Sequence, residues 1–199
     1  MKNGLISNAV TRRDAKGWQL PIKPNWHRSP PLGQGNLSLV AGSVTMSATE
    51  PWQRTVRAVR LSIATTVTVA GATIEVALYD CDNDWLPRKP IIDLGTIDAS
   101  STGTKTIDRP MVFGPGPIYL AMRPSVTGLS VGSITGLGDY FHIPFRTAGQ
   151  PGTSNNVSYS WDFTSAFGSE WPQIPNLTDG SLGHKNGSLR YQFQFGGEA

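Results

Sequence analysis

Thr73-Ile74-Glu75-Val76-Ala77-Leu78-Tyr79-Asp80 alternates with a period of two, setting Ile74, Val76 and Leu78 on one face and Thr73, Glu75, Ala77 and Tyr79 on the other. A helix would scatter the three aliphatic residues around its axis, whereas a strand lines them up, so this stretch reads as a β-strand with one buried face. The pattern recurs in both directions along the chain. Residues 117–123 put Ile118, Leu120 and Met122 inward. Residues 156–163 alternate Val157, Tyr159, Trp161 and Phe163 with Ser158, Ser160 and Asp162, and residues 189–195 alternate Leu189, Tyr191, Phe193 and Phe195 with Arg190, Gln192 and Gln194. Weaker strand candidates occupy 56–67, 91–97, 105–108 and 141–145. About eight strands in roughly 150 residues, separated by turn formers, define an all-β, antiparallel two-sheet sandwich. The last strand is strongly amphipathic and is expected to pair centrally with an early one, which makes the sandwich jelly-roll-like rather than an open meander.

Composition agrees. The 199 residues include 22 Gly, 15 Pro, 18 Ser and 18 Thr, and only 16% are charged, against a usual ~25%, which disfavours long solvent-exposed helices. The single Cys81 excludes an internal disulfide, so the domain must rest on its own core. A chain of this length buries about 70% of its unfolded surface, enough to do so. No run of apolar residues is long enough to span a membrane, and the N-terminus lacks the pattern of a secretory signal, so synthesis in the cytoplasm of the producing cell is expected.

Residues 1–50 differ from the rest. Trp18-Gln19-Leu20-Pro21, Pro24-Asn25-Trp26 and Ser29-Pro30-Pro31-Leu32-Gly33 impose extended or turn conformations and forbid a useful helix. The segment reads as an extended, Pro-rich, basic arm, and residues 51–199 as the sandwich. Up to residue 40 the basic residues Lys2, Arg12, Arg13, Lys16, Lys23 and Arg28 face Asp14 alone. They are too dispersed for a nucleic-acid surface. Trp18, Leu20, Ile22 and Trp26 are the expected assembly contacts, because a solvated tail gains nothing from them.

Motifs for chemistry fail on inspection. Gly128-Leu129-Ser130-Val131-Gly132 matches a nucleophile elbow, but no helix follows, and the stretch reads as a glycine-rich loop between strands. Asp80-Cys81-Asp82-Asn83-Asp84 resembles the first half of a calcium loop, yet Trp85 stands where a glycine is required and Ile91 where a bidentate Glu is required. His27, His142 and His184 have no histidine at metal-ligand spacing. The expectation is a protein that is not an enzyme, with no cofactor and no metal. Trp85, Tyr140 and Trp171 are the candidates for stacking on a glycan or a protein partner. The alternative for Trp171 and its aromatic neighbours is that they close one end of the sandwich.

Residues 76–87, with their Leu78-Tyr79-Asp80 loop and Leu86-Pro87 turn, are followed by Gly95-Thr96-Ile97-Asp98-Ala99-Ser100 and by Gly116-Pro117-Ile118-Tyr119-Leu120-Ala121. This order resembles β-sandwich domains of tailed-bacteriophage tail proteins over residues 56–123. The resemblance implies a minor tail or virion-surface structural protein, a homo-oligomer with a trimer favoured. Its arm would attach to other tail or capsid proteins and its sandwich would face outward. A host-glycan-binding adhesin or carbohydrate-binding module is the alternative.

Overall fold

A computed structural model describes residues 26–28, 34–49, 52, 55–81, 87–116, 118–134, 159–173, 183–186 and 188–195. Among them every regular element is a strand: β1 (Trp26–Arg28), β2 (Gln34–Leu39), β3 (Ser43–Ala48), β4 (Val56–Val67), β5 (Thr73–Cys81), β6 (Pro87–Asp98), β7 (Gly103–Phe113), β8 (Tyr119–Pro124), β9 (Leu129–Ile134), β10 (Tyr159–Thr164), β11 (Gly183–Asn186), β12 (Ser188–Leu189) and β13 (Tyr191–Phe195). One seven-stranded sheet runs β1-β13-β4-β9-β12, with β2 added on β9 and β7 on β4; a six-stranded sheet runs β11-β10-β3-β8-β5-β6. All pairings are antiparallel. From β3 to β10 the chain changes sheet at every connection except the β5-β6 hairpin, so strand neighbours are mostly distant in sequence.

The sheets pack on one apolar core. Ile74, Val76 and Leu78 from β5, with Leu120 and Met122 from β8, meet Leu61 and Ile63 from β4 and Tyr191 and Phe193 from β13. The final strand lies inside its sheet, as its amphipathicity demands, with Tyr191 opposite Ile63 and Phe193 opposite Leu61. Strand β8 departs from the one-buried-face expectation. All six of its residues are buried, because Tyr119 and Ala121 enter a second cluster with Val44, Met46, Ala77, Tyr79 and Trp171 on the outer side of the sheet.

Two sequence assignments are corrected. Residues 26–28 and 34–48, assigned to the arm, form β1 and β2 in the seven-stranded sheet and β3 in the six-stranded one, so the sandwich already includes Trp26. Leu37, Leu39, Val44 and Met46 alternate there at period two and are buried, a signal masked by the prolines just before them. Residues 129–132, read as a loop, belong to β9, whose Leu129 and Val131 point into the core. Gly132 allows close strand approach, since a Cβ there would sit 3.3 Å from the Ala64 Cβ. The candidate strand at 141–145 and residues 1–25 lie outside the described residues.

The registers give the sandwich two unlike ends. At one end lie the β2-β3, β4-β5, β6-β7 and β8-β9 turns and the loop after β10, as the pairs Thr164 with Ser43, Leu39 with Leu129, Ile74 with Pro124 and Thr65 with Gly103 require. At the other end β1 begins, β13 stops, β5 passes to β6, and β9 and β10 have their free ends.

Candidate functional site

The turn end is tightly cross-tied. The Ser43 amide donates to the Val40 carbonyl (3.1 Å), Ala72 N to Val69 O (3.0 Å), Ser125 N to Thr73 O (2.9 Å) and Ser165 N to Gly42 O (2.8 Å). Side chains add to this: Ala41 N donates to Thr127 Oγ1 (3.1 Å) and Thr73 N to Ser125 Oγ (3.0 Å). Across residues 40–42, 67–72, 99–102, 125–128 and 165–170 the only charged side chain is Glu170, and Val40, Val67 and Phe167 are exposed.

The loop after β10 is held by a clasp on the outer face of the six-stranded sheet. Arg123, on β8, is 1% exposed yet charged, and such a charge persists in a protein interior only when paired and hydrogen-bonded. Its Nε donates to Glu75 Oε2 at 2.6 Å; Nη1 donates to Ser165 Oγ (2.7 Å) and Ser169 Oγ (2.8 Å); Nη2 donates to the Ser169 carbonyl (2.6 Å). The guanidinium carbon stands 4.5 Å from the Trp171 ring centroid, adding a cation-π contact. Glu75, on β5 beside Arg123 in the register, also accepts from Gly168 N at 3.1 Å. Tyr79 packs edge-on to Trp171 and donates to the Pro172 carbonyl at 3.0 Å; burial pushes its phenol pKa up, and the Arg123 charge partly offsets this. Gly168 turns the loop at φ +77°, a conformation that side-chain-bearing residues rarely adopt. The clasp thus fixes a loop whose tip carries the exposed Phe167 ring.

A second polar feature lies between the sheets. Ser47 Oγ and Ser160 Oγ are 2.7 Å apart in the interior, and Leu189 N, from the opposite sheet, donates to Ser47 Oγ at 3.0 Å. Thr45 Oγ1 donates to Asp162 at 2.7 Å. The inner face of β10 is therefore its Ser160 and Asp162 side, while Phe163 packs against the outer cluster. Ser133 Oγ on β9 is buried with no hydrogen-bond partner among the described residues.

The candidates named from sequence separate as follows. Trp171 is 7% exposed with Arg123 over its ring, so it offers no stacking face and instead closes the outer cluster. Trp26 lies in β1 as the register partner of Gln194. Trp18, Leu20, Ile22, Trp85 and Tyr140 lie outside the described residues. Asp80 accepts from Arg88 Nη2 (2.5 Å) and Lys89 N (3.0 Å), so it serves the β5-β6 connection; Asp82 and Asp84 are outside the described residues. Ser130 sits on a strand beside Ser38 Oγ (3.5 Å), without the strand-turn-helix setting a nucleophile elbow requires. Among the described residues no three His, Cys, Asp or Glu side chains gather as metal ligands.

The clasp was not apparent from sequence. Its only local trace is an arginine at the end of an otherwise apolar strand face, Tyr119-Ala121-Arg123. No protein-family model matches the chain, and no curated protein does.

Proposed function

We propose that the chain is a structural component of a tailed-phage virion, a minor tail or surface protein, that assembles through the end bearing its N-terminal arm and displays the turn end of its sandwich. The observation that carries this reading is the polarity of the fold. Strand β1 begins at one end, whereas the other end is a set of short, hydrogen-bonded turns. An assembly subunit needs both: an extended segment that buries apolar side chains on a neighbour, and a compact body that tolerates exposure. Other tail or capsid proteins and further copies of the chain are the partners on this reading, and the virion is its location.

The test is solution mass by light scattering for the full chain and for residues 29–199, which keep β2 and β3. A trimer or larger for the first and a monomer with an unchanged β spectrum for the second is the expected outcome. Equal masses refute the reading. Trp18→Ala and Trp26→Ala should each abolish incorporation without unfolding the sandwich, as loss of about 2–4 kcal/mol of buried contact predicts.

A second reading, a host-glycan-binding adhesin, is favoured by one observation, the exposed Phe167 ring on a clamped loop. Saturable sugar binding lost in Phe167→Ala would carry it. Sugar binding unaffected by that change would remove it.

A further inference from the structure

We infer that the turn end binds a neutral glycan, one sugar ring stacking on Phe167 while the neighbouring hydroxyls reach the polar groups of the β2-β3 and β8-β9 turns. The inference rests on the glycan-binding reading above and adds to it the class of sugar and the surface that holds the rest of the glycan.

Phe167 belongs to one connected surface. Ser165 N donates to Gly42 O at 2.8 Å, which ties the Phe167 loop to the β2-β3 turn. Ala41 N donates to Thr127 Oγ1 at 3.1 Å, which ties that turn to the β8-β9 turn. The registers carry the surface further: Leu39 lies opposite Leu129, and Ser130 lies between Ser38 and Val67 of the adjacent strands, so Val40 and Val67 flank the β8-β9 turn. Val40, Val67 and Phe167 are 43%, 45% and 37% exposed, and between them Ala41, Thr127 and Gly128 are exposed as well. The result is a set of apolar spots separated by hydroxyl and backbone groups. The core of a protein interface is more uniformly apolar. A sugar presents a C–H face and a rim of hydroxyls, which fits an aromatic ring flanked by a few placed polar groups.

The electrostatics select a neutral sugar. Although 16% of the chain is charged, Glu170 alone carries a charge across the five turn-end segments. At their margin Asp98, which accepts from Ser100 N at 2.8 Å, and Glu75 add carboxylates. Among the described residues the cations that reach this end are committed: Arg123 is buried in the clasp, and Lys105 Nζ donates to Ser101 Oγ at 2.8 Å. An acidic sugar would meet carboxylates and no open cation, whereas the hydroxyls of a neutral one find strong charged acceptors. Rigidity completes the site. Sugar contacts are individually weak, so affinity depends on a surface ordered before binding. A buried ion pair adds little stability over apolar residues of similar volume. Arg123 and Glu75 therefore act chiefly to hold the loop in one geometry, with Phe167 at its tip.

The experiment titrates the full chain with three neutral probes, maltohexaose, cellohexaose and chitohexaose, and with oligosialic acid as an acidic one, following backbone amide shifts by NMR. At least one neutral probe should bind saturably with a millimolar or lower dissociation constant, shift amides of residues 40–42, 125–128 and 165–170, and bind equally at low and high salt. Phe167→Leu, which keeps apolar bulk but offers no flat ring, should weaken binding about tenfold, and Phe167→Trp should bind at least as well as the parent. Shifts confined to residues 165–170 would overturn the part assigned to the other two turns. Oligosialic acid bound more tightly than every neutral probe, and lost in Phe167→Ala, overturns the neutral site while the glycan-binding reading stands. No binding of any probe, or binding indifferent to Phe167, refutes both. Self-association of the chain abolished by Phe167→Asp would show that a second copy covers this surface, and would overturn the inference as well.

Discussion

Replacing Arg123 by Met tests whether the clasp holds the loop after β10. Met retains the length of the side chain and its packing on Trp171, so the change removes charge and hydrogen bonds rather than opening a large cavity. Four donated bonds disappear, and among the described residues Glu75, 16% exposed at its side chain, keeps only the Gly168 amide. Removing one partner of a buried pair costs about 3–5 kcal/mol; because water can reach part of Glu75, about 3 kcal/mol is expected. The double variant Arg123→Met, Glu75→Gln should recover much of this, since an ion pair replaced on both sides leaves no buried charge. Urea unfolding of the parent, both single variants and the double closes a cycle whose coupling should reach about 2 kcal/mol. Hydrogen exchange at Gly168 gives a local reading: its amide, bonded to Glu75, should lose protection in both single variants. A cost below about 1 kcal/mol for Arg123→Met, with Gly168 still protected, would refute the reasoning.

Three further outcomes follow from local geometry. Gly168→Ala, at φ +77° with open space around the added Cβ, should cost about 1–2 kcal/mol by backbone strain alone, read as a fall in the urea midpoint at unchanged slope. Ser133→Ala should stabilise the domain by about 1 kcal/mol, because the hydroxyl it removes is buried without a partner among the described residues; a loss of stability would show that the hydroxyl is bonded in solution. The Arg60 hydrogen bond holds the exposed Asp108 carboxyl below its ordinary value, so its contribution is present above that value and lost as pH falls through the lowered one. Asp108→Asn should therefore flatten the acid limb of a melting-temperature profile taken below about pH 5, and an unchanged limb would contradict the assignment.

Much of the architecture was legible because period-two alternation is a local signal. Residues 73–80, 117–123 and 189–195 show it plainly, and they became β5, β8 and the β12-β13 segment, broken only at Arg190, whose amide bonds to the Gly132 carbonyl at 2.9 Å. Strands β2 and β3 carry the same alternation but follow Pro30 and Pro31, so composition assigned them to the arm. Strand β9 was hidden by Gly128 and Gly132, which signal a loop unless the partner strand that needs the glycine is known.

The clasp was illegible for a different reason. Arg123 meets Glu75, 48 residues earlier, and Ser169, 46 residues later, and no local pattern ties them. The sequence alone determined that the chain is an all-β sandwich, because side-chain alternation is written residue by residue. Tertiary structure decided which polar groups are buried and paired, that Trp171 lies under Arg123 while Phe167 stays exposed, and that β1 begins at the end opposite the tight turns. Those outcomes depend on strand order and register, which are set by long-range packing and hydrogen bonding rather than by any one segment.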